Sequence, residues 1–83
     1  MKGGRNVMLH QLKIGQTGQI LSVKGEERLQ NRLYDLGLLP NTAVTLTGRA
    51  PFGDPLELSL RGYSLSLRLS HAKQIQIKEE SVS

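Results

Sequence analysis

Leu36-Gly37-Leu38-Leu39-Pro40-Asn41-Thr42-Ala43-Val44-Thr45-Leu46-Thr47-Gly48-Arg49-Ala50-Pro51-Phe52-Gly53-Asp54-Pro55 decides how this chain folds. Gly37 suits the left-handed position after a helix, Leu38 the apolar residue that follows it, and Pro40 forbids continuation. Pro40-Asn41 fits the centre of a tight turn, since Pro fixes φ and Asn tolerates positive φ. Val44 and Leu46 then alternate with Thr45 and Thr47, the period of a strand with one buried face. Ala50–Pro55 is a loop stiffened by Pro51 and Pro55 around Gly53. A helix stop, a turn, a strand and a rigid loop follow one another, and nothing in the run is catalytic in type.

Upstream, Leu29, Leu33 and Leu36 recur at helical spacing, which places a helix over 26–36. Glu26 and Glu27 occupy its first turn, where the helix dipole favours negative charge. Gln19–Lys24 reads as a strand whose two faces are both partly apolar, so its orientation is open. Leu9, Leu12 and Ile14 precede Gly15 as an extended segment laid across the core.

Downstream, Leu56, Leu58 and Leu60 alternate with Glu57, Ser59 and Arg61. Tyr63, Leu65, Leu67 and Leu69 alternate with Ser64, Ser66 and Arg68, and Arg61-Gly62 joins the two runs as a hairpin. Ser70 is placed to cap one helical turn over 70–73. Gln74–Lys78 is a last strand with Ile75 and Ile77 inward. About five short strands and one inserted helix make a small antiparallel barrel, mainly β, which would leave no strand edges open. The expected organisation is a flexible leader over 1–8, one domain over 9–78 and a polar tail over 79–83.

The chain has 83 residues, which is one domain with a small core. It has no Cys, so neither a disulfide framework nor a thiolate metal cage is available. No apolar run approaches the ~20 residues needed to cross a bilayer. The basic residues near the start are not followed by an apolar stretch, so no signal peptide is expected. The net charge is +4, and it falls to +2 without Lys2 and Arg5 of the leader. That excess is ordinary for a protein domain.

A nucleophile, a base and an orienting acid do not assemble from this composition. His10 and His71 are the two histidines. Asp35, Asp54, Glu79 and Glu80 share no ligand spacing with them, so no cofactor is expected; His71 is the candidate for a weak divalent-metal site. No Gly-rich loop precedes Lys-Ser or Lys-Thr, which excludes a P-loop. Arg49, Arg61 and Arg68 could form a basic wall, but Tyr34, Phe52 and Tyr63 are too few to build a stacking platform, so nucleic acid is not expected. Phe52 stands apart. A large aromatic on a stiff loop either folds back as a plug of the barrel end or anchors a partner. Pro51, Asp54 and Arg49 flank it. Arg28 and Arg32, at i and i+4 on the helix, could meet an acidic partner.

Leu12, Ile14 and Gly15, the run Arg32-Leu33-Tyr34-Asp35-Leu36-Gly37-Leu38 with Pro40, the run Arg49–Pro55, and Leu67-Arg68 with Ala72 resemble the FeoA family of small ferrous-iron-uptake proteins. The resemblance spans roughly Leu9–Ile77. Leu33, Leu36, Gly37, Pro40, Gly53 and Pro55 are its structural signature. Asn41 stands where Gly is commoner in the family, and Phe52 where a smaller aliphatic is common. The resemblance implies an SH3-like barrel, a cytoplasmic location at the inner face of the membrane, and a non-enzymatic accessory role on the FeoB transporter. The partner-binding set expected from the residues themselves is Phe52, Arg49, Pro51, Asp54, Arg28 and Arg32. The same barrel occurs in iron-dependent repressors, so a metal-sensing module is the alternative, and a nucleic-acid-binding barrel a more distant one. Exposure of Phe52 would also permit self-association.

Overall fold

A computed structural model of the chain describes residues 5–80. Six strands, β1 (Asn6–Met8), β2 (Thr17–Val23), β3 (Ala43–Arg49), β4 (Leu56–Leu60), β5 (Tyr63–Leu67) and β6 (Ile75–Glu79), form one antiparallel sheet in the order β1-β6-β2-β3-β4-β5. Helix α1 (Glu27–Asp35) joins β2 to β3, and a short helix α2 (Leu69–Ala72) joins β5 to β6. A 3-10 turn covers Leu9–Gln11.

The strand β1 was not legible. Asn6, Val7 and Met8 pair with Lys78, Ile77 and Gln76 of β6, so the expected leader over 1–8 is corrected: this part of it is sheet, and residues 1–4 lie outside the described residues. The expected tail also begins later, because Glu79 still pairs in β6, while 81–83 lie outside the described residues.

The core forms where the alternating strands turn inward. Val44, Leu46, Leu56, Leu58, Leu60, Leu67, Ile75 and Ile77 are buried, as their period requires. β2 resolves its ambiguity by a bulge between Ile20 and Ser22 in its pairing with β6. The extra residue shifts the alternation, so Ile20 and Val23 both reach the core while Leu21 faces out. A second bulge lies between Leu46 and Gly48 of β3. Both bend the sheet around the core.

Leu33 fixes α1 to that core and is fully buried. Removing such a side chain from water contributes about 1.5–3 kcal/mol. The helix stops as its residues require: Leu38 N–H donates to Leu33 O and Gly37 N–H to Tyr34 O, with Gly37 at φ +98°. Leu36 departs from the expected stripe, since it caps the helix and stays 44% exposed. Leu38 takes the buried place instead. Asn41 has φ +73°, as its turn position demands. Of the N-terminal segment, Leu9 and Leu12 are buried but Ile14 is exposed, because the chain turns away at Lys13–Gln16.

β5 ends at Leu67, so Leu69 belongs to α2 rather than to the strand. Tyr63, expected in the inward row, is 43% exposed and instead donates its hydroxyl to Leu36 O. Among the described residues strand pairing does not close the barrel: β1 and β5 stand at the two ends of the order.

Candidate docking surface

The loop between β3 and β4 is braced at its base and bare at its tip. Ala50 N–H donates to Pro55 O at 3.0 Å and closes the base. Gly53 N–H donates to Ala50 O at 2.7 Å, with Pro51 and Phe52 at the two central positions of that turn. Gly53 has φ +84°, a region that a side chain would strain, and the Asp54–Pro55 peptide is cis. Phe52 is 97% exposed, which excludes the plug reading. It is an aromatic ring held in water by a stiff support.

Asp54 ties the loop to the next element. Its Oδ1 accepts the Leu69 N–H at 2.9 Å, which caps α2. The cap expected from Ser70 is therefore supplied from 15 residues away, and α2 starts at Leu69 rather than Ser70. Beside the loop lies a shallow depression of about 330 Å³ lined by Asp54, Pro55, Ser66 and Arg68.

Arg49 works inward as well as outward. Its Nη2 donates to His10 O at 2.7 Å and to Leu12 O at 2.9 Å, pinning the N-terminal segment across the barrel end. No pattern marks this contact in sequence, because the partners are 39 and 37 residues away. His10 lies under the same pin with its Nδ1 buried and without a hydrogen-bond partner among the described residues. Burial, and after it the positive charges of Lys73 and Arg49, hold its imidazole below the ordinary 6.5.

Arg28 and Arg32 lie exposed on α1, and neither makes an ion pair among the described residues. The end of α1 meets β5 at Tyr63, whereas the Phe52 loop meets the chain just past the other end of β5, at Leu69. The structure thus groups Phe52, Pro51, Asp54 and Arg49 at one site and leaves Arg28 and Arg32 on another element. His71 sits half-buried in α2. Among the described residues no three of His, Cys, Asp and Glu gather where a metal could be held.

The model of the FeoA domain matches residues 7–79. An FeoA-like protein of Clostridium acetobutylicum is 34% identical and superposes with a TM-score of 0.85, covering 100% of this chain and 93% of that one. FeoA of Stenotrophomonas maltophilia complexed with zinc, described as a prokaryotic SH3 domain protein, superposes with a TM-score of 0.74 at 24% identity over 87% of this chain and 89% of that one. A fusion of Fe(2+) transport protein A and the Fe(2+) transporter FeoB from Porphyromonas gingivalis is 27% identical over 70 residues, 84% of this chain. The chain spans 8% of that relative's length.

Proposed function

Since the chain belongs to the FeoA family, we propose that it serves ferrous iron transport as a non-enzymatic module that docks on the cytoplasmic part of FeoB through the Phe52 loop. The observation that carries this reading is Phe52, an aromatic ring 97% exposed on a loop braced at both ends. Exposed aromatics on rigid supports are the residues that dominate binding energy once a partner covers them. Little ordering entropy remains to be lost, because Pro51, Pro55 and the Asp54 cap already fix the loop.

The fusion relative supports the choice of partner. Joining the two proteins in one chain keeps them at high effective concentration, an arrangement that favours components which act in contact. Asp54 ties the loop to α2, and Arg49, which pins the N-terminal segment, stands at the loop's base, so both offer polar atoms beside Phe52. Arg28 and Arg32 form a second, basic contact on α1. No helix among the described residues is long and apolar enough to cross a membrane, and docking on FeoB would bring the module to its inner face. Binding then biases the transporter's assembly or activity.

Titration of the isotope-labelled protein with the cytoplasmic domain of its cognate FeoB, with GDP and with a GTP analogue, tests this. Amide shifts concentrate over Ala50–Pro55. Phe52→Ala weakens binding by roughly a factor of 30 or more, about 2 kcal/mol, while the variant's own spectrum stays folded. Absence of shifts at high concentration in both nucleotide states would overturn direct docking.

A further inference from the structure

The outer edge of β5 carries unpaired backbone. Arg61 and Gly62, at φ +51° and +86°, make the two-residue turn that joins Leu60 to Tyr63 as a hydrogen-bonded pair. Antiparallel ladders alternate. Tyr63, Leu65 and Leu67 therefore turn their N–H and C=O groups to β4, and Ser64 and Ser66 turn theirs away from it. β5 ends the strand order, and among the described residues no backbone hydrogen bond from another element reaches Ser64 or Ser66. Both residues are exposed. The devices that normally blunt an edge are missing here: Tyr63–Leu67 contains no Pro, no charged residue and no bulge.

Two further observations define what would pair there. The depression lined by Asp54, Pro55, Ser66 and Arg68 includes Ser66, one of the two outward residues of the edge, and its volume of about 330 Å³ has room for a small apolar side chain. Arg61 and Arg68 bracket the strand, exposed and without ion pairs among the described residues. The nearby carboxylates are already engaged: Glu57 Oε2 accepts from Ser66 Oγ at 2.7 Å, and Asp54 Oδ1 from Leu69 N–H. Glu57 also sits on β4, one strand in from the edge.

We propose that the β5 edge accepts an extended acidic segment of a partner chain as a seventh strand. Ser64 and Ser66 exchange backbone hydrogen bonds with it, one apolar side chain fills the depression, and Arg61 and Arg68 meet its carboxylates. This is strand addition, in which the main chain supplies affinity and alternate side chains supply selectivity. A second copy of this chain fits poorly. Antiparallel pairing of two β5 edges about Leu65 sets Arg61 of one copy near Arg68 of the other at both ends, like charge against like. The site does not use Phe52, so it stands or falls separately from the docking loop.

The test is an NMR titration of the full chain with a capped peptide that carries Val with a Glu two residues away on each side, so that all three share one face of an extended strand as Ser66 and Arg68 do, and with its Lys-for-Glu counterpart. The acidic peptide moves the amides of Ser64 and Ser66 more than those of Tyr63, Leu65 and Leu67, and binds roughly tenfold tighter than the Lys peptide. Ser64→Pro removes an outward N–H and abolishes the shifts. The double variant Arg61→Gln with Arg68→Gln keeps the strand intact and loses the preference for acid. Phe52→Ala binds the peptide as the parent does. No shift at Ser64 and Ser66 with millimolar peptide, equal binding of the Lys peptide, or dimerisation through β5 without peptide would each overturn the proposal.

Discussion

Gly37 shows how one residue serves two constraints at once. Its φ of +98° needs the freedom of glycine, and an added Cβ would run into the Tyr63 hydroxyl, which donates to Leu36 O. Gly37→Ala should lose about 1–2 kcal/mol from handedness, and more because the hydroxyl must leave its carbonyl. In a Tyr63→Phe background the second part disappears, so urea unfolding of the four variants should show a smaller penalty there. The first constraint was legible in sequence, from the helix stop at Leu36-Gly37-Leu38. The second was not, because Tyr63 lies in the alternating row and reads as core. His10 is a further case. Burial, then Lys73 and Arg49, lower its pKa in the folded chain below the 6.5 it has when unfolded. Above 6.5 the imidazole is neutral in both states and adds no pH slope. As pH falls below 6.5 the unfolded chain takes up the proton first, so stability drops until the folded pKa is passed. Thermal unfolding followed from roughly pH 7.5 to 5 should show this slope, and His10→Gln should flatten it.

At the scale of elements, what was legible is what depends on near neighbours. The alternation of β3, β4 and β5, the hairpin at Arg61-Gly62 and the Schellman stop of α1 all arise from residues within a few positions of each other. β2 was ambiguous because a bulge between Ile20 and Ser22 changes its phase, and the bulge answers to the partner strand β6 rather than to β2 itself. The short helix α2 gives the sharpest contrast. Its cap comes from Asp54, whose position in sequence suggests a loop hydrogen bond but not its recipient. Asp54→Ala should cost about 1 kcal/mol and speed amide exchange at Leu69. Asp54→Asn retains an acceptor oxygen and should cost less. Equal losses in the two variants, measured by urea unfolding, would show that charge rather than the cap hydrogen bond matters. Of the candidate site, Phe52 was legible as an anomaly of composition: an aromatic between Pro51 and Gly53. Arg49 was legible as a neighbour of Phe52 but not as the pin on His10 and Leu12.

The whole molecule depends on pairings that no local pattern encodes. β6, the last strand in sequence, lies between β1 and β2 in the sheet, so the first and last strands of the described residues pair with each other. Glu79 N–H donates to Arg5 O, and Arg5 Nε pairs with a Glu79 carboxylate oxygen at 2.9 Å. That ion pair is exposed on the Arg side and contributes little by itself. The weight is carried by Ile75 and Ile77, both fully buried, and by the close approach of Gly18, where a Cβ would meet Ile77 and the Lys78 carbonyl. Without β6 there is nothing for β1 to pair with, and β2 loses one of its two neighbours together with the cover over Ile20 and Val23. A small domain has stability of only about 5–15 kcal/mol to lose. Two buried isoleucines at about 2–5 kcal/mol each, plus two strand pairings, consume that margin. A chain ending at Gln74 should therefore fail to fold, with a collapsed amide spectrum and no cooperative unfolding transition. A shortened chain that kept dispersed amides over β3, β4 and β5 would show instead that this meander is a folding unit of its own, and that β6 only completes it.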